Sequence, residues 1–369
     1  MARGVEFGPR YFIPPAQFER LGESTNCDEL MKQLVRYFLS LLPASLQNAL
    51  LGVGRQLRDQ WKLMRAHSYD WRQYRRHSGL FRQTAPGVVE ARIIMAYHKI
   101  EKGLALPAPR PGFGKDAVKT VLRDVGYYIQ HFGPTPNTRR ALNALNEYVV
   151  FNKSFGSDVT WLEPELRSVS ERSPGDGHSG GTKLVKRDDI LRASGLDLAP
   201  FFASRHSIRQ FSKEPVSDEI IARAVAMAQK APSVCNRESG CVFVATDPGQ
   251  KEALLALQNG NRGFGDQADR IIVITSRMDT FLTVGERYQC WIDGGLFAMS
   301  LIYALHSLGV GSCCLNWSVE PRLDEALRQI RGLPPDHAVI MLLAIGLLPP
   351  ELLVAQSPRR PVEEVLHFI

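Results

Sequence analysis

Apolar and polar positions change rhythm along the chain. They follow a helical period in the first half, and after Pro200 short apolar runs alternate with helical stretches. Leu30, Leu34, Phe38 and Leu41 recur at helical spacing and predict a helix from Asp28 to about Leu42, interrupted by Pro43. A second helical stretch runs from Ala44 to about His77, and a third from Pro86 to Ile100 with Gly103 as its C-terminal cap. Further helices are predicted over about Asp116–His131 and Asn137–Phe155. Downstream, Val242–Ala245, Ile271–Thr275, Val310–Leu315 and Val339–Ile345 read as strands, being short apolar runs bounded by turn residues. Asp218–Lys230, Gln250–Gln258, about Glu286–Leu308 and Leu323–Arg331 read as helices, the first with Ser217 as N-cap.

The stretch Cys290–Leu305 is apolar nearly all round, which predicts a helix buried on most faces and shared between a sheet and a dimer interface. Asp293 within it, and His306 just after, argue against a membrane span. Strands and helices without strict βαβ alternation predict an α+β fold: a mixed sheet flanked by helices, preceded by an all-α N-terminal domain. Ser168–Thr182 is rich in Gly, Ser and Pro and reads as a linker. The expected division is a helical, basic domain over 1–167, a linker over 168–195 and a second domain over 196–369.

Charge sharpens that division. The net charge is +7, but residues 1–195 hold 29 Lys and Arg against 19 Asp and Glu, and the remainder 16 against 19. The basic half, with Arg55, Arg58, Lys62, Arg65, Arg72, Arg75 and Arg76 on one helical stretch, suits packing within its own domain or docking on a membrane surface or other anionic partner. The most apolar part, Phe38–Val53, is too short and too polar to span a bilayer. No reader motif for nucleic acid appears, and none is expected as a partner. Six cysteines show no CxxC spacing and the N-terminus has no uninterrupted apolar core, so a reducing, cytoplasmic location is expected. His98 and Glu101, three apart on a helix, lack a second such pair; a hydrogen-bonded structural pair is expected rather than a metal site. Gly112-Phe113-Gly114-Lys115 resembles a piece of a phosphate loop but lacks its spacing and the following Ser or Thr.

Four segments carry candidate chemistry. Arg205-His206-Ser207-Ile208-Arg209 places two guanidinium groups around a hydroxyl, a set suited to phosphate oxygens, although the stretch taken singly is equally a solvated basic turn. Ala231-Pro232-Ser233-Val234-Cys235-Asn236 ends in an amide that both donates and accepts, or in an ordinary turn residue. Gly309-Val310-Gly311-Ser312-Cys313-Cys314 is a glycine-rich entry to a strand, whose cysteines are redox thiols or small buried hydrophobes. Ser357-Pro358-Arg359-Arg360-Pro361 follows the last strand and is a third cationic group or an exposed basic tail.

In this order and at these separations the four segments resemble the FMN-dependent nitroreductase family, over roughly Leu198 to the C-terminus. The resemblance implies FMN as cofactor and NAD(P)H as co-substrate, a ping-pong hydride transfer, and a homodimer with the flavin at the subunit interface. It implies Arg205, Arg209 and Arg359 around the phosphate, the Arg205–Arg209 segment with His206 and Ser207 also reaching the ribityl and pyrimidine groups, Asn236 at the flavin edge with Ser233 also binding the cofactor, and Ser312 and Cys313 beside the ring. No protein acid or base is assigned, since hydride chemistry belongs to the cofactor. Where the family often has a Gln-Pro-like pair after the asparagine, this chain has Arg237-Glu238-Ser239-Gly240, which leaves the acceptor open among nitro, quinone and other small molecules. The alternative is a flavin-binding scaffold or sensor whose basic helical half docks on a membrane or anionic glycan assembly.

Overall fold

The computed structural model describes residues 37–173, 180–330, 332–357 and 359–369. Residues 28–36 of the first expected helix and 174–179 of the expected linker lie outside them. The chain divides into two compact units, between Ser68 and Tyr69. The described part of the first unit is dominated by the opening turns of helix α1 (Ala44–His77). No helix among the described residues is long and apolar enough to cross a membrane.

In the second unit, a helical layer is built from α2 (Pro86–Leu104), α3 (Lys115–Phe132), α4 (Pro136–Ser154) and α5 (Glu163–Arg172). Proline sits in the first turn of α2, α4 and α5, where its missing N–H costs no helical bond. Thr135 and Thr138 close a reciprocal capping box at the start of α4. Ile93, Ile100, Leu122, Leu142, Leu145 and Leu162 meet in a core of their own. The expected pair of His98 and Glu101 is present, Nδ1 lying 3.0 Å from Oε2. The stretch expected to be linker is partly held: Val169 is buried on α5, Gly181 donates to Glu101 and Thr182 donates to Glu147. It also contains a short exposed helix, α6 (Arg187–Ser194), that the Gly and Ser content hid.

Beyond α7 (Ala199–Ser204) and α8 (Asp218–Ala228) comes a four-stranded antiparallel sheet in the order β1-β2-β4-β3. Its strands are β1 (Gly240–Ala245), β2 (Arg270–Arg277), β3 (Val310–Asn316) and β4 (His337–Leu347). The expected strands fall within these four. Side chains alternate faces along a strand. Ile272, Ile274, Leu343 and Ile345 therefore pack under α8 and the long helix α10 (Gln289–Ser307). Ile271, Val273, Leu342 and Ala344 pack on the other side, with Leu254 of α9 (Pro248–Leu257) and Leu327 of α11 (Pro321–Arg328). The fold is thus the expected α+β arrangement, a sheet flanked by helices with a helical layer ahead of it; the four strands pair antiparallel, and parallel pairing enters through the Ser207–Ser312 bridge.

Within the single chain helix α10 is enclosed on its sheet side and open on the other. Cys290, Phe297, Leu301 and Leu305 are buried, whereas Tyr288, Trp291, Ile292, Leu296 and Met299 form an exposed apolar face.

Candidate cofactor site in two halves

The first half-site lies along β3, the outer strand opposite β1. Ser207 bridges Ser312 in parallel, and Ile208 N–H donates to the Ser312 carbonyl at 2.9 Å. Gly311 permits this approach, since a Cβ there would lie 2.9 Å from Ile208 Cγ2. Ser212 N–H donates to Leu347 O at 2.8 Å and completes the attachment. Two segments that the sequence placed about a hundred residues apart are therefore in contact. Arg205 is half-buried and Arg209 exposed, and neither has a carboxylate partner among the described residues. The two arginines diverge: Arg209 sits over the Phe264 ring, its Cζ 5.7 Å from the centroid, while Arg205 lies toward Cys314 and His306. His206 is half-buried between them. His306, at the end of α10, hydrogen-bonds Ser204 at 2.9 Å, and burial with the added repulsion of Arg205 lowers its pKa.

Cys313 points into the apolar core with Leu315 and Leu342, so its thiol lines no surface and only its main chain is available to a ligand. Burial pushes its pKa up, against the pull of Arg209. Ser312 is on the opposite face of the strand, 6% exposed. Arg359 is exposed in the C-terminal tail, and its guanidinium donates to the Ser357 carbonyl. The tail reaches the first half-site through Leu353 N–H, which donates to Gln210 Oε1 at 3.0 Å.

The second half-site is the turn Val234–Asn236, just before β1. Cys235, Asn236 and Glu238 all have left-handed φ, at 50°, 53° and 49°. Non-glycine residues hold that conformation only where the surroundings impose it, and such turns concentrate at functional sites. Asp293 supplies one restraint: buried in α10, its Oδ2 accepts from Val234 N–H at 3.1 Å while its Oδ1 accepts from Gln289 at 2.8 Å. Ser233 supplies another, its hydroxyl accepting from Glu238 N–H at 3.0 Å. Arg237 supplies a third: its fully buried side chain donates to Val234 O and Thr280 O and pairs with Glu286 at 2.5 Å. Burial raises the Glu286 carboxyl, but the hydrogen bonds from Arg237 and from Leu282 N–H outweigh it and leave its pKa below the ordinary value. Asn236 itself is exposed and loosely tied to Glu238, 3.4 Å away. It lines a cavity of about 140 Å³ with Glu90, Asn137, Arg237, Glu238 and Arg277, one wall of which belongs to the helical layer.

Within one chain these halves are far apart. The Ser312 row of the sheet continues through Ile345 to Arg270, whereas Gly240, four residues after Asn236, pairs with Ser276. They stand at diagonal corners, about 20 Å apart along the strands and three strand spacings, about 14 Å, across. Helix α10 gives a second ruler: Asp293 touches one half and His306 the other, about 20 Å at 1.5 Å per residue. The structure brings Arg205, Ser207 and Ser312 together and leaves Ser233 and Asn236 elsewhere. The residues that shape the second half, Asp293, Arg237 and Glu286, were not singled out from sequence as site residues. Asp293 left a signal as a carboxylate in an otherwise apolar helix, and Arg237 as a departure from the family pattern after Asn236.

Comparison with known proteins finds similarity in the C-terminal half of the chain. Residues 202–347 match the Nitroreductase family. A protein of Thermus thermophilus named NADH dehydrogenase is 25% identical over 202 residues, covering 46% of this chain and 95% of its own. A protein of Archaeoglobus fulgidus, named for NADH dehydrogenase or NAD(P)H nitroreductase activity, is 26% identical over 147 residues, covering 39% of this chain and 80% of its own. An FMN-dependent nitroreductase structure from Clostridium difficile shares 23% identity, with a TM-score of 0.39, over 46% of this chain and 96% of that one. The family match spans residues 202–347, which hold all four strands and helices α8 to α11.

Proposed function

We propose that this domain is an FMN-dependent NAD(P)H oxidoreductase, active in the cytoplasm as a homodimer. Bound FMN would supply hydride chemistry, accepting reducing equivalents from NAD(P)H and passing them to a second small molecule. The protein's part is placement and charge. Arg205 and Arg209 diverge, and each, with no carboxylate in ion-pair reach among the described residues, suits a dianionic phosphate on its own side of β3. Ser207, His206 and the main chain of Ser312 and Cys313 lie beside them along β3 and would take the ribityl chain and ring edge. Ser233 and Asn236, on a turn that Asp293 and Arg237 hold at Val234, offer a hydroxyl and an exposed amide to a polar ring edge. Arg359, on a tail that touches Gln210, is a further phosphate ligand in this reading.

The observation that carries the proposal is the contact between Ser207 and Ser312, which turns two separate motifs into one cationic strand edge. The diagonal placement of the Asn236 turn favours a homodimer, in which the two halves of a site come from different copies. The exposed face of Trp291, Ile292, Leu296 and Met299 is an apolar surface suited to such an interface. The acceptor is a nitro compound, quinone or other small molecule.

The test is the flavin content of the purified full-length protein, followed by anaerobic stopped-flow bleaching with NADH and with NADPH. Bound FMN that bleaches with either nucleotide is expected. Arg205→Ala and Arg209→Ala, singly and together, assign the phosphate site, the singles showing which guanidinium dominates. A protein that binds no added FMN sinks the proposal. Stoichiometric FMN retained in the double variant removes the phosphate assignment.

A further inference from the structure

Helix α1 carries, within Ala44–Ser68, an apolar stripe that the described residues leave uncovered. Leu46, Leu50, Val53, Leu57, Trp61 and Met64 are each 45–65% exposed. At 3.6 residues per turn their side chains fall within an arc of about 80°. Arg65 and Arg58 flank that arc on one side, at about 100° and 120° from Leu46, and Lys62 and Arg55 continue from them round to the back, at about 160° and 180°. The other edge is neutral, with Ala49, Gln56 and Gln60. Asp59, the stretch's sole carboxylate, is also at the back, at about 220°, and pairs with Arg58 at 3.2 Å. Arg65 lies over the Trp61 ring, its Cζ 5.5 Å from the centroid, so the cationic edge and the apolar stripe are in contact there.

We propose that this stretch docks the protein on an anionic membrane surface. The stripe lies among the acyl chains near the headgroup boundary, and the cationic edge lies against anionic headgroups. Five charges between Arg55 and Arg65 keep the helix on the surface rather than across it. The one-sided charge is what selects this occupant. The stripe's three- and four-residue steps also suit a helix-helix seam, but a second copy would bring no carboxylate to meet the cationic edge. A lipid surface with anionic headgroups satisfies both features at once. Trp61, with an apolar body and a polar N–H, is a residue type favoured at that boundary.

The experiment uses the full-length protein and vesicles of phosphatidylcholine, with or without about one-third phosphatidylglycerol. Co-sedimentation with the anionic vesicles is expected, weakening as salt is raised, with partition onto neutral vesicles lower by about tenfold. A blue shift of the tryptophan emission should accompany binding and disappear in Trp61→Phe. Leu57→Glu with Trp61→Glu, and separately Arg58→Glu with Lys62→Glu, should each lower partition onto anionic vesicles by about tenfold or more. These side chains are exposed, and an unchanged circular dichroism spectrum in solution confirms that each variant is folded. Absence of binding overturns the proposal, as does equal binding to neutral and anionic vesicles. So does a wild-type protein that self-associates through this stripe, seen as loss of an oligomer in sedimentation velocity when Leu57 becomes Glu.

Discussion

Replacing Asp293 with alanine tests whether the turn carrying Asn236 is imposed from outside. The carboxylate is 3% exposed and accepts two hydrogen bonds, from Val234 N–H at 3.1 Å and from Gln289 at 2.8 Å. Hydrogen bonds to a charged group contribute about 1.5–3 kcal/mol each. Gln289 is half-buried and can turn to water, so most of its bond is recovered. Val234 N–H has less freedom, and losing its acceptor costs about 2–3 kcal/mol. A release of left-handed strain at Cys235, Asn236 and Glu238 offsets about 1 kcal/mol of this if the turn relaxes. The net loss is about 1–2 kcal/mol, equivalent to a fall of about 2–8 °C in Tm at about 2–4 °C per kcal/mol. Asp293→Asn keeps an acceptor for Val234 and is expected to lose about half as much. Thermal melts give the stability, and amide hydrogen exchange at Val234, Asn236 and Glu238 reports the turn directly. An alanine variant that melts within about 1 °C of wild type with unchanged protection at Val234 would refute the reasoning.

Two further predictions concern the same half-site and the proposed interface. Glu286 has a folded-state pKa below its unfolded value, so its stabilising contribution is present above the unfolded carboxylate pKa and is lost as pH falls through the folded one. Urea midpoints measured from neutral pH down past that range should fall less steeply in Glu286→Gln than in wild type; parallel slopes would remove Glu286 as a source of acid sensitivity. Ile292→Glu with Leu296→Glu alters exposed side chains on α10 and should leave the Tm of a monomer within a few degrees while breaking the proposed dimer. Sedimentation velocity reads the result, and a dimer of unchanged affinity in that variant would place the interface elsewhere.

Much of the fold was legible because it rests on local pattern. Ile271–Thr275 and Val339–Ile345 are apolar runs of strand length, and both lie in the middle of the sheet where both faces are covered. Ser217 was read as an N-cap and accepts from Ile220 N–H at 3.4 Å. The apolarity of α10 predicts burial on most faces, shared between the sheet and a dimer interface; within one chain the side from Trp291 to Met299 is open, because apolarity does not say which neighbours exist. Helix α6 was missed because its surroundings are rich in Gly and Ser, and it buries no side chain that would leave a periodic signal.

The site shows the same contrast at the level of chemistry. Residue type and order alone determine that arginines, a serine and an asparagine suited to a flavin are present, because hydrogen-bonding capacity and charge belong to the side chain itself. Which of them meet depends on strand order. The Arg205–Arg209 segment joins β3 while Asn236 precedes β1, and the order β1-β2-β4-β3 puts those strands at opposite edges. Cys313 and Ser312 are neighbours in sequence but on opposite faces of one strand, so only packing against Leu315 and Leu342 takes the thiol out of reach. Local pattern is written in spacings of two, three and four residues. Pairing across a sheet joins residues a hundred apart, and the free energy that selects it comes from burying both faces at once.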